Sequence, residues 1–95
     1  MNSTQTQSDK IIKMYGANWC ADCFRAKKVF EQYGIKYEYI DIDKSEEAKD
    51  HVRKVNPNGD ESIPVIEYLD ETIQIEPSYN EIVTKLKELG LIKLN

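Results

Sequence analysis

The chain has 95 residues, of which 40% are hydrophobic and 32% are charged, and its formal net charge is −4 at pH 7. These values are typical of one globular domain with a single modest core, and they leave no basic surface for nucleic acid or anionic lipid to bind. No apolar stretch approaches the roughly 18 residues of a transmembrane helix, so neither nucleic acid nor a membrane is an expected partner.

The first nine residues, Met1 to Asp9, are rich in Ser, Thr, Gln and Asn. They are predicted to form a disordered tail ahead of a domain that spans residues 10–95. They contain neither the basic segment nor the apolar segment of a secretory signal peptide. The expected compartment is therefore the reducing cytosol, where a cysteine pair serves catalysis more often than it forms a structural disulfide.

The first predicted strand, Lys10 to Tyr15, leads into a predicted helix from Cys20 to Tyr33. Apolar residues recur along one side of this helix at helical spacing, and Gly34 is a typical C-terminal stop. That stripe consists of Ala26, Val29, Phe30 and Tyr33. The periodicity therefore predicts an amphipathic helix packed against a sheet.

The segment from Ile35 to Ile42 predicts a second strand with apolar or aromatic residues on both faces. We expect it to pair in parallel with the first strand, because a strand, helix and strand in sequence favour a right-handed crossover. Asp43 or Ser45 is predicted to cap a second helix, which ends at Asn56-Pro57-Asn58-Gly59. The apolar positions of this helix are Ala48, Val52 and Val55.

A hairpin and a final helix complete the predicted domain. Val65 to Leu69 and Thr72 to Ile75 are predicted to pair around the turn Asp70-Glu71. The spacing of Ser78 and Glu81 is that of a capping box. The final helix is expected to pack through Ile82, Val83, Leu86 and Leu89 and to end at Gly90. The predicted order is βαβαββα, an α/β fold with a four-stranded mixed sheet and helices on both faces.

The only two cysteines of the chain form the motif Cys20-Ala21-Asp22-Cys23 at the start of the first helix. At a helix N-terminus, free N–H groups and the helix dipole stabilise the thiolate of the first cysteine, and the second lies one turn away. As a structural bond this pair would contribute only about 2 kcal/mol, against roughly 4.7 kcal/mol for a 100-residue loop. A zinc site would need four ligands, and His51 is the only further soft candidate. The motif therefore predicts a redox-active pair.

The order of the elements, the motif Cys20-Ala21-Asp22-Cys23 and the step Ser62-Ile63-Pro64 together resemble a glutaredoxin from about Lys10 to Leu91. The resemblance implies a thioredoxin-like fold and a thiol-disulfide oxidoreductase. It implies a cis peptide bond before Pro64, next to the sulfurs, and an Ile63 backbone that pairs with the substrate. Pro64, which lacks an N–H, would keep metal ions away from the sulfurs.

Six residues are candidates for substrate contact. The indole of Trp19 either faces the substrate or packs beside the first helix. Ser78 is expected to cap the last helix, and the N–H groups beside it are suited to a ligand carboxylate. The predicted catalytic residues are Cys20 and Cys23. The six predicted substrate-contact residues are Trp19, Ser62, Ile63, Pro64, Ser78 and Tyr79.

The differences from glutathione-using glutaredoxins concern charge. Those proteins have Pro-Tyr between their cysteines and a Lys three residues earlier, where this chain has Ala21-Asp22 and Ala17. It also has Pro77-Ser78-Tyr79-Asn80 in place of Gly-x-Asp-Asp. Losing a lysine and gaining Asp22 should weaken the binding of anionic glutathione.

The motif is more similar to mycoredoxins and to the glutaredoxin-like electron donors of ribonucleotide reductase. That similarity implies reduction by another low-molecular-weight thiol or by thioredoxin reductase, whereas the broader glutaredoxin resemblance implies glutathione. Disulfide-containing proteins are the expected substrates. It implies a monomer in electron transport and cell redox homeostasis, without a resident cofactor or a metal. The alternative is a metal-carrier module in which Cys20 of each chain in a dimer holds an iron-sulfur cluster.

Overall fold

The computed structural model describes residues 10–93; the predicted tail, Met1 to Asp9, lies outside this range. The strands are β1 (Ile12–Gly16), β2 (Tyr37–Asp41), β3 (Val65–Glu67) and β4 (Ile73–Ile75), and the α-helices are α1 (Ala21–Gln32), α2 (Glu46–Val55) and α3 (Tyr79–Glu88). Short 3₁₀ turns at Ile42–Lys44 and Pro57–Gly59 flank α2. The predicted order βαβαββα is confirmed.

The four strands form one mixed sheet in the order β2-β1-β3-β4. β1 pairs in parallel with β2 and antiparallel with β3, and β3 pairs antiparallel with β4. β1 is therefore a central strand with a partner on each side, which explains why Ile12 and Met14 are both buried. Because β1 is held on both sides, its C-terminal end places the cysteine loop on a fixed support.

Helices cover both faces of the sheet, as predicted. On one face, α1 and α3 enclose a core that includes Met14, Phe30 and Leu86. On the other face, Val52 of α2 packs with Val65 in a second cluster, which also contains both cysteines. Burying each large apolar side chain contributes about 1.5–3 kcal/mol. Because Cys20 and Cys23 belong to the second cluster, the packing of this cluster holds the cysteine motif against the sheet.

β2 is shorter than the predicted strand Ile35 to Ile42. The N–H of Ile35 donates to the Phe30 carbonyl at 2.8 Å, and Gly34 has a φ of +67°, so these residues complete the C-terminal cap of α1. At the other end, the Asp41 side chain accepts the Asp43 N–H and begins the first 3₁₀ turn. Residues at both ends of the predicted strand therefore belong to neighbouring caps, and β2 is correspondingly shorter.

The caps of the two later helices decide between the predicted alternatives. Ser45, and not Asp43, caps α2, because its Oγ accepts the Ala48 N–H at 3.1 Å. The predicted capping box of α3 is confirmed: the Glu81 N–H donates to Ser78 Oγ at 3.1 Å, and the Ser78 N–H donates to the Glu81 carboxylate at 2.8 Å. The left-handed Gly90 follows this helix.

The predicted hairpin is confirmed with shorter strands. The Tyr68 N–H donates to the Thr72 carbonyl at 2.9 Å, and Glu71 adopts a left-handed φ of +72°. Asp70 accepts the Thr72 N–H within the turn. The turn therefore includes residues at the inner ends of both predicted strands.

Candidate active site

Cys20 occupies the N-cap position of α1. Its backbone is extended, with φ −92° and ψ 109°, and its Sγ accepts the Cys23 N–H at 3.0 Å. An N-cap side chain normally satisfies one of the free N–H groups of the first helical turn. Here a sulfur does so, in a position where the helix dipole favours negative charge. The geometry suits Cys20 to act as a thiolate nucleophile.

Cys23 lies one turn further into α1 and is 1% exposed, whereas Cys20 is 8% exposed. Burial, followed by the hydrogen bond with Cys20, raises the pKa of the Cys23 thiol to about 12. Cys23 is therefore protonated at neutral pH. This difference suits Cys20 to attack first and Cys23 to react afterwards.

The peptide bond between Ile63 and Pro64 is cis and lies beside the cysteines, as the resemblance implied. The Ile63 carbonyl oxygen is 3.9 Å from the Cys20 sulfur. Within residues 10–93 the Ile63 N–H forms no backbone hydrogen bond. This backbone is thus next to the reacting sulfur with a donor available for an extended ligand.

A cavity of about 300 Å³ lies over Cys20, and its lining includes Trp19, Ser62 and Ile63. The Trp19 indole is 70% exposed and donates its N–H to an Asp43 carboxylate oxygen at 2.8 Å. The ring therefore stands at the cavity edge and is not packed in the core beside α1. Three of the predicted substrate-contact residues are brought together with the nucleophile.

The same cavity is lined by three carboxylates, and none of its described lining residues is Lys or Arg. These are Asp22, Glu61 and Glu76. Asp22 is paired with Arg25 and Glu61 with Arg53 on the protein surface. Exposed pairs of this kind contribute little to stability. The described lining is therefore acidic, because Arg25 and Arg53 are not part of it.

Ser78 and Tyr79 line a different and larger groove of about 550 Å³ between α1 and α3. The hydroxyls of Tyr79 and Tyr33 are 3.1 Å apart. The two cavities share Asp22 and Glu76 in their linings. The structure therefore does not bring Ser78 and Tyr79 into the cavity over Cys20, and their contact with a substrate stays a prediction.

Two residues that the sequence did not single out support the site. A β-carbon at Gly16 would lie 2.8 Å from the Cys23 sulfur, so this position admits only glycine without a shift of its neighbours. Asn56 is 6% exposed, and its Nδ2 donates to the Val52 carbonyl at 2.9 Å and to the Ser62 carbonyl at 3.2 Å. In the sequence, the only signals of these two roles are a glycine at the end of a strand and an Asn-Pro step after a helix.

Replacing Asn56 with Ala is expected to lower the free energy of unfolding by about 1–3 kcal/mol, because the partly buried Ser62 carbonyl loses its amide donor. Urea unfolding followed by circular dichroism measures this change. Asn80→Ala, at an exposed position of α3, is the matched control and should change stability by roughly 0.5 kcal/mol or less. Equal effects of the two substitutions would contradict this role of Asn56.

No group of three or more His, Cys, Asp or Glu side chains within residues 10–93 could hold a metal ion. His51 contacts Glu67, and its ring lies 5.0 Å from that of Tyr15. His51 is therefore a partner in a side-chain cluster with Glu67 and Tyr15. No helix of the described chain is both long and apolar enough to span a membrane.

Comparison with known proteins places the chain among similar sequences and structures. A glutaredoxin family model matches residues 12–73. Mycoredoxin 1 of Corynebacterium glutamicum is 32% identical over 79 residues, covering 83% of this chain and 96% of that protein. The glutaredoxin structure from Archaeoglobus fulgidus is 31% identical, with a TM-score of 0.63 and 90% of each chain covered.

A third comparison concerns the fold alone. A buckwheat glutaredoxin–glutathione complex superposes with a TM-score of 0.61 at 19% identity, covering 94% of this chain and 79% of that chain. The same arrangement of strands and helices thus occurs at low sequence identity.

Proposed function

The chain belongs to the glutaredoxin family and is a thiol-disulfide oxidoreductase, and we propose that it works through Cys20 and Cys23. One observation carries this proposal. The Cys20 sulfur sits at the N-cap of α1, 3.0 Å from the Cys23 amide nitrogen and 3.9 Å from the Ile63 carbonyl oxygen. A nucleophile, a resolving thiol and a backbone for the substrate are thereby adjacent.

The reaction proceeds in two exchange steps. The Cys20 thiolate attacks one sulfur of the substrate disulfide, forms a mixed disulfide and releases the first substrate thiolate. Cys23 then loses its proton to solvent and attacks the Cys20 sulfur, which expels the second substrate thiolate. The substrate gains two electrons and the protein retains a Cys20–Cys23 disulfide.

The substrates are proteins and small molecules with accessible disulfides. We assign substrate contact to Trp19, Ser62, Ile63 and Pro64 at the cavity, with Ser78 and Tyr79 in the neighbouring groove. The Ile63 N–H pairs with the extended segment that carries the substrate sulfur. No resident cofactor is needed, because the electrons are held in the thiols. A monomer in the reducing cytosol is the form we propose, since the protein must return to its dithiol state after each cycle.

The reducing partner is proposed to be a small thiol without net negative charge, of the mycothiol type. The acidic lining formed by Asp22, Glu61 and Glu76 supports this choice. Glutathione carries a net negative charge at pH 7, and like charges at close range disfavour its approach. Mycoredoxin 1 is among the relatives of the chain. Thioredoxin reductase with NADPH is the other candidate donor.

The test begins with protein oxidised to the Cys20–Cys23 disulfide and compares three donors: mycothiol, glutathione, and NADPH with thioredoxin reductase. We expect mycothiol to reduce it about tenfold faster than glutathione, which corresponds to roughly 1.4 kcal/mol of charge repulsion. In the double variant Asp22→Asn, Glu76→Gln, the rates of reduction by mycothiol and by glutathione should become more similar, because two of the lining carboxylates are neutralised. Reduction by glutathione at the same rate as by mycothiol would contradict the proposed donor. Reduction only by thioredoxin reductase with NADPH would identify that reductase, and not a small thiol, as the donor.

A further inference from the structure

The hydroxyl of Tyr39 reaches beneath the cysteine loop from strand β2. Its oxygen and the Cys23 sulfur each lie 2.8 Å from the point where a β-carbon at Gly16 would sit. The oxygen and the sulfur are therefore no further apart than twice that distance. Because Gly16 has no β-carbon, this point stays free for both groups to approach.

The Cys23 sulfur contacts Cys20 and the Ala17 backbone, and the Tyr39 hydroxyl can approach it as a further donor. Within residues 10–93 the Tyr39 hydroxyl forms no hydrogen bond of its own. Burial, followed by the charge of a Cys23 thiolate, raises the pKa of Tyr39 to about 12, so the hydroxyl keeps its proton at neutral pH. Tyr39 is thus a hydrogen-bond donor beside a sulfur whose charged form burial disfavours.

We propose that the Tyr39 hydroxyl donates a hydrogen bond to the Cys23 sulfur as this sulfur becomes a thiolate in the resolving step. This inference rests on the proposed Cys20–Cys23 cycle. A hydrogen bond to a charged acceptor favours the charged form. Tyr39 thereby helps the buried thiol to ionise at the moment when it must attack the mixed disulfide.

Lys27 contacts the ring of Tyr39 and strengthens its hydroxyl as a hydrogen-bond donor. Its Nζ lies 4.2 Å from the centroid of the Tyr39 ring. Lys27 follows Cys23 by four residues on α1, so both side chains project from the same face of the helix. A cation over an aromatic face draws electron density from the ring, which makes the hydroxyl a better donor toward Cys23.

The remaining groups around Cys23 come from α1 and the loop before it. The neighbouring thiol of Cys20 and the carboxylate of Asp22 both oppose ionisation of Cys23. The Ala17 backbone is the one contact that lowers the pKa of Cys23. Tyr39 would add a second favourable contact.

On the strand side, two neighbours of Tyr39 carry ionisable groups. Asp41 and Tyr37, both on β2, raise the pKa of the Tyr39 hydroxyl, as does Cys20. An ordinary tyrosine pKa of about 10 already lies well above neutral pH, so the hydroxyl stays protonated even when one of these groups is removed. Tyr39 is therefore in the form that can donate.

The resolving step can be followed with 5,5′-dithiobis(2-nitrobenzoate). The Cys20 thiolate attacks this reagent and releases one coloured thionitrobenzoate. Cys23 then gives its proton to solvent, attacks the Cys20 sulfur and releases a second thionitrobenzoate. The first phase of colour reports Cys20, and the second phase reports Cys23.

Tyr39→Phe is expected to slow the second phase about tenfold at pH 7 and to move its pH midpoint upward by about one unit. The first phase should stay within about twofold of wild type. Tyr37→Phe is the matched control, because Tyr37 lies two residues earlier on the same face of β2 and its hydroxyl contacts Glu31 at 3.4 Å. This control should leave both phases unchanged.

A second phase that is equally fast in Tyr39→Phe and wild type would overturn the inference. A wild-type protein that shows no second phase would instead overturn the proposed function. If Tyr39→Phe unfolds, Lys27→Gln provides the test, with an expected slowing of the second phase of about threefold. An unchanged second phase in that variant would then overturn the inference.

Discussion

At pH 7, iodoacetamide is expected to modify Cys20 of the reduced protein roughly a thousand times faster than Cys23. Only the thiolate reacts, and burial raises the pKa of Cys23 to about 12. Such a thiol is ionised in about one molecule in 10⁵ at this pH. Peptide mapping by mass spectrometry after timed quenching measures both rates in one sample.

The same labelling in urea supplies the control, because unfolding removes burial and the helix N-terminus together. Both cysteines should then react at rates within about threefold of each other. Raising the pH of the native protein should increase the Cys23 rate about tenfold per unit while it stays below its pKa. Similar rates for the two cysteines in native protein at pH 7 would contradict the assigned roles.

Cys20→Ser is expected to lower the rate of disulfide reduction by roughly 10³-fold or more, since a hydroxyl cannot replace a thiolate as the attacking group. Reduction of insulin or of a small mixed disulfide, coupled to NADPH consumption, measures the loss. The variant should remain folded, because the serine Oγ can accept the Cys23 N–H at the N-cap of α1.

Cys23→Ser is the matched variant. It should form the mixed disulfide on Cys20 at close to the wild-type rate, and its turnover should then depend on a second molecule of external thiol. A Cys20→Ser protein that retains activity while Cys23→Ser loses it would mean that the two cysteines have the opposite roles.

The fold was largely predictable because its signals are local. Each helix start is fixed by a side chain within three residues of it, as in the capping box of Ser78 and Glu81. Gly34 and Gly90 end helices α1 and α3 through left-handed backbone angles that glycine adopts readily. The alternation of such signals with apolar periodicity is enough to predict βαβαββα.

The support of the site was not predictable, because it depends on contacts between distant segments. In the sequence Tyr39 is one of the aromatic residues of the second predicted strand, and only the parallel register of β1 and β2 brings it close to Gly16 and Cys23. Similarly, the bond of the Trp19 indole to Asp43 spans 24 residues of sequence. Periodicity reports which face a residue occupies, and it does not report which side chain from another strand it meets.

The division of substrate contacts between two cavities is also a tertiary property. Sequence reasoning groups Ser78 and Tyr79, at the start of the last helix, with Ile63 as candidates for substrate contact. In the structure α3 places Ser78 and Tyr79 in the groove beside α1, while Ile63 lies over the nucleophile. The acidic lining is assembled in the same way, since Asp22, Glu61 and Glu76 come from three separate segments.

The central claim is that Cys20 and Cys23 exchange between two thiols and one internal disulfide. Its most direct test is to treat the reduced protein with one equivalent of a substrate disulfide, quench with acid, count the free thiols and map the peptides. We expect a monomer that has lost two hydrogens, has no free thiol and contains a Cys20–Cys23 linked peptide. Two remaining free thiols, or a disulfide-linked dimer as the end product, would contradict it.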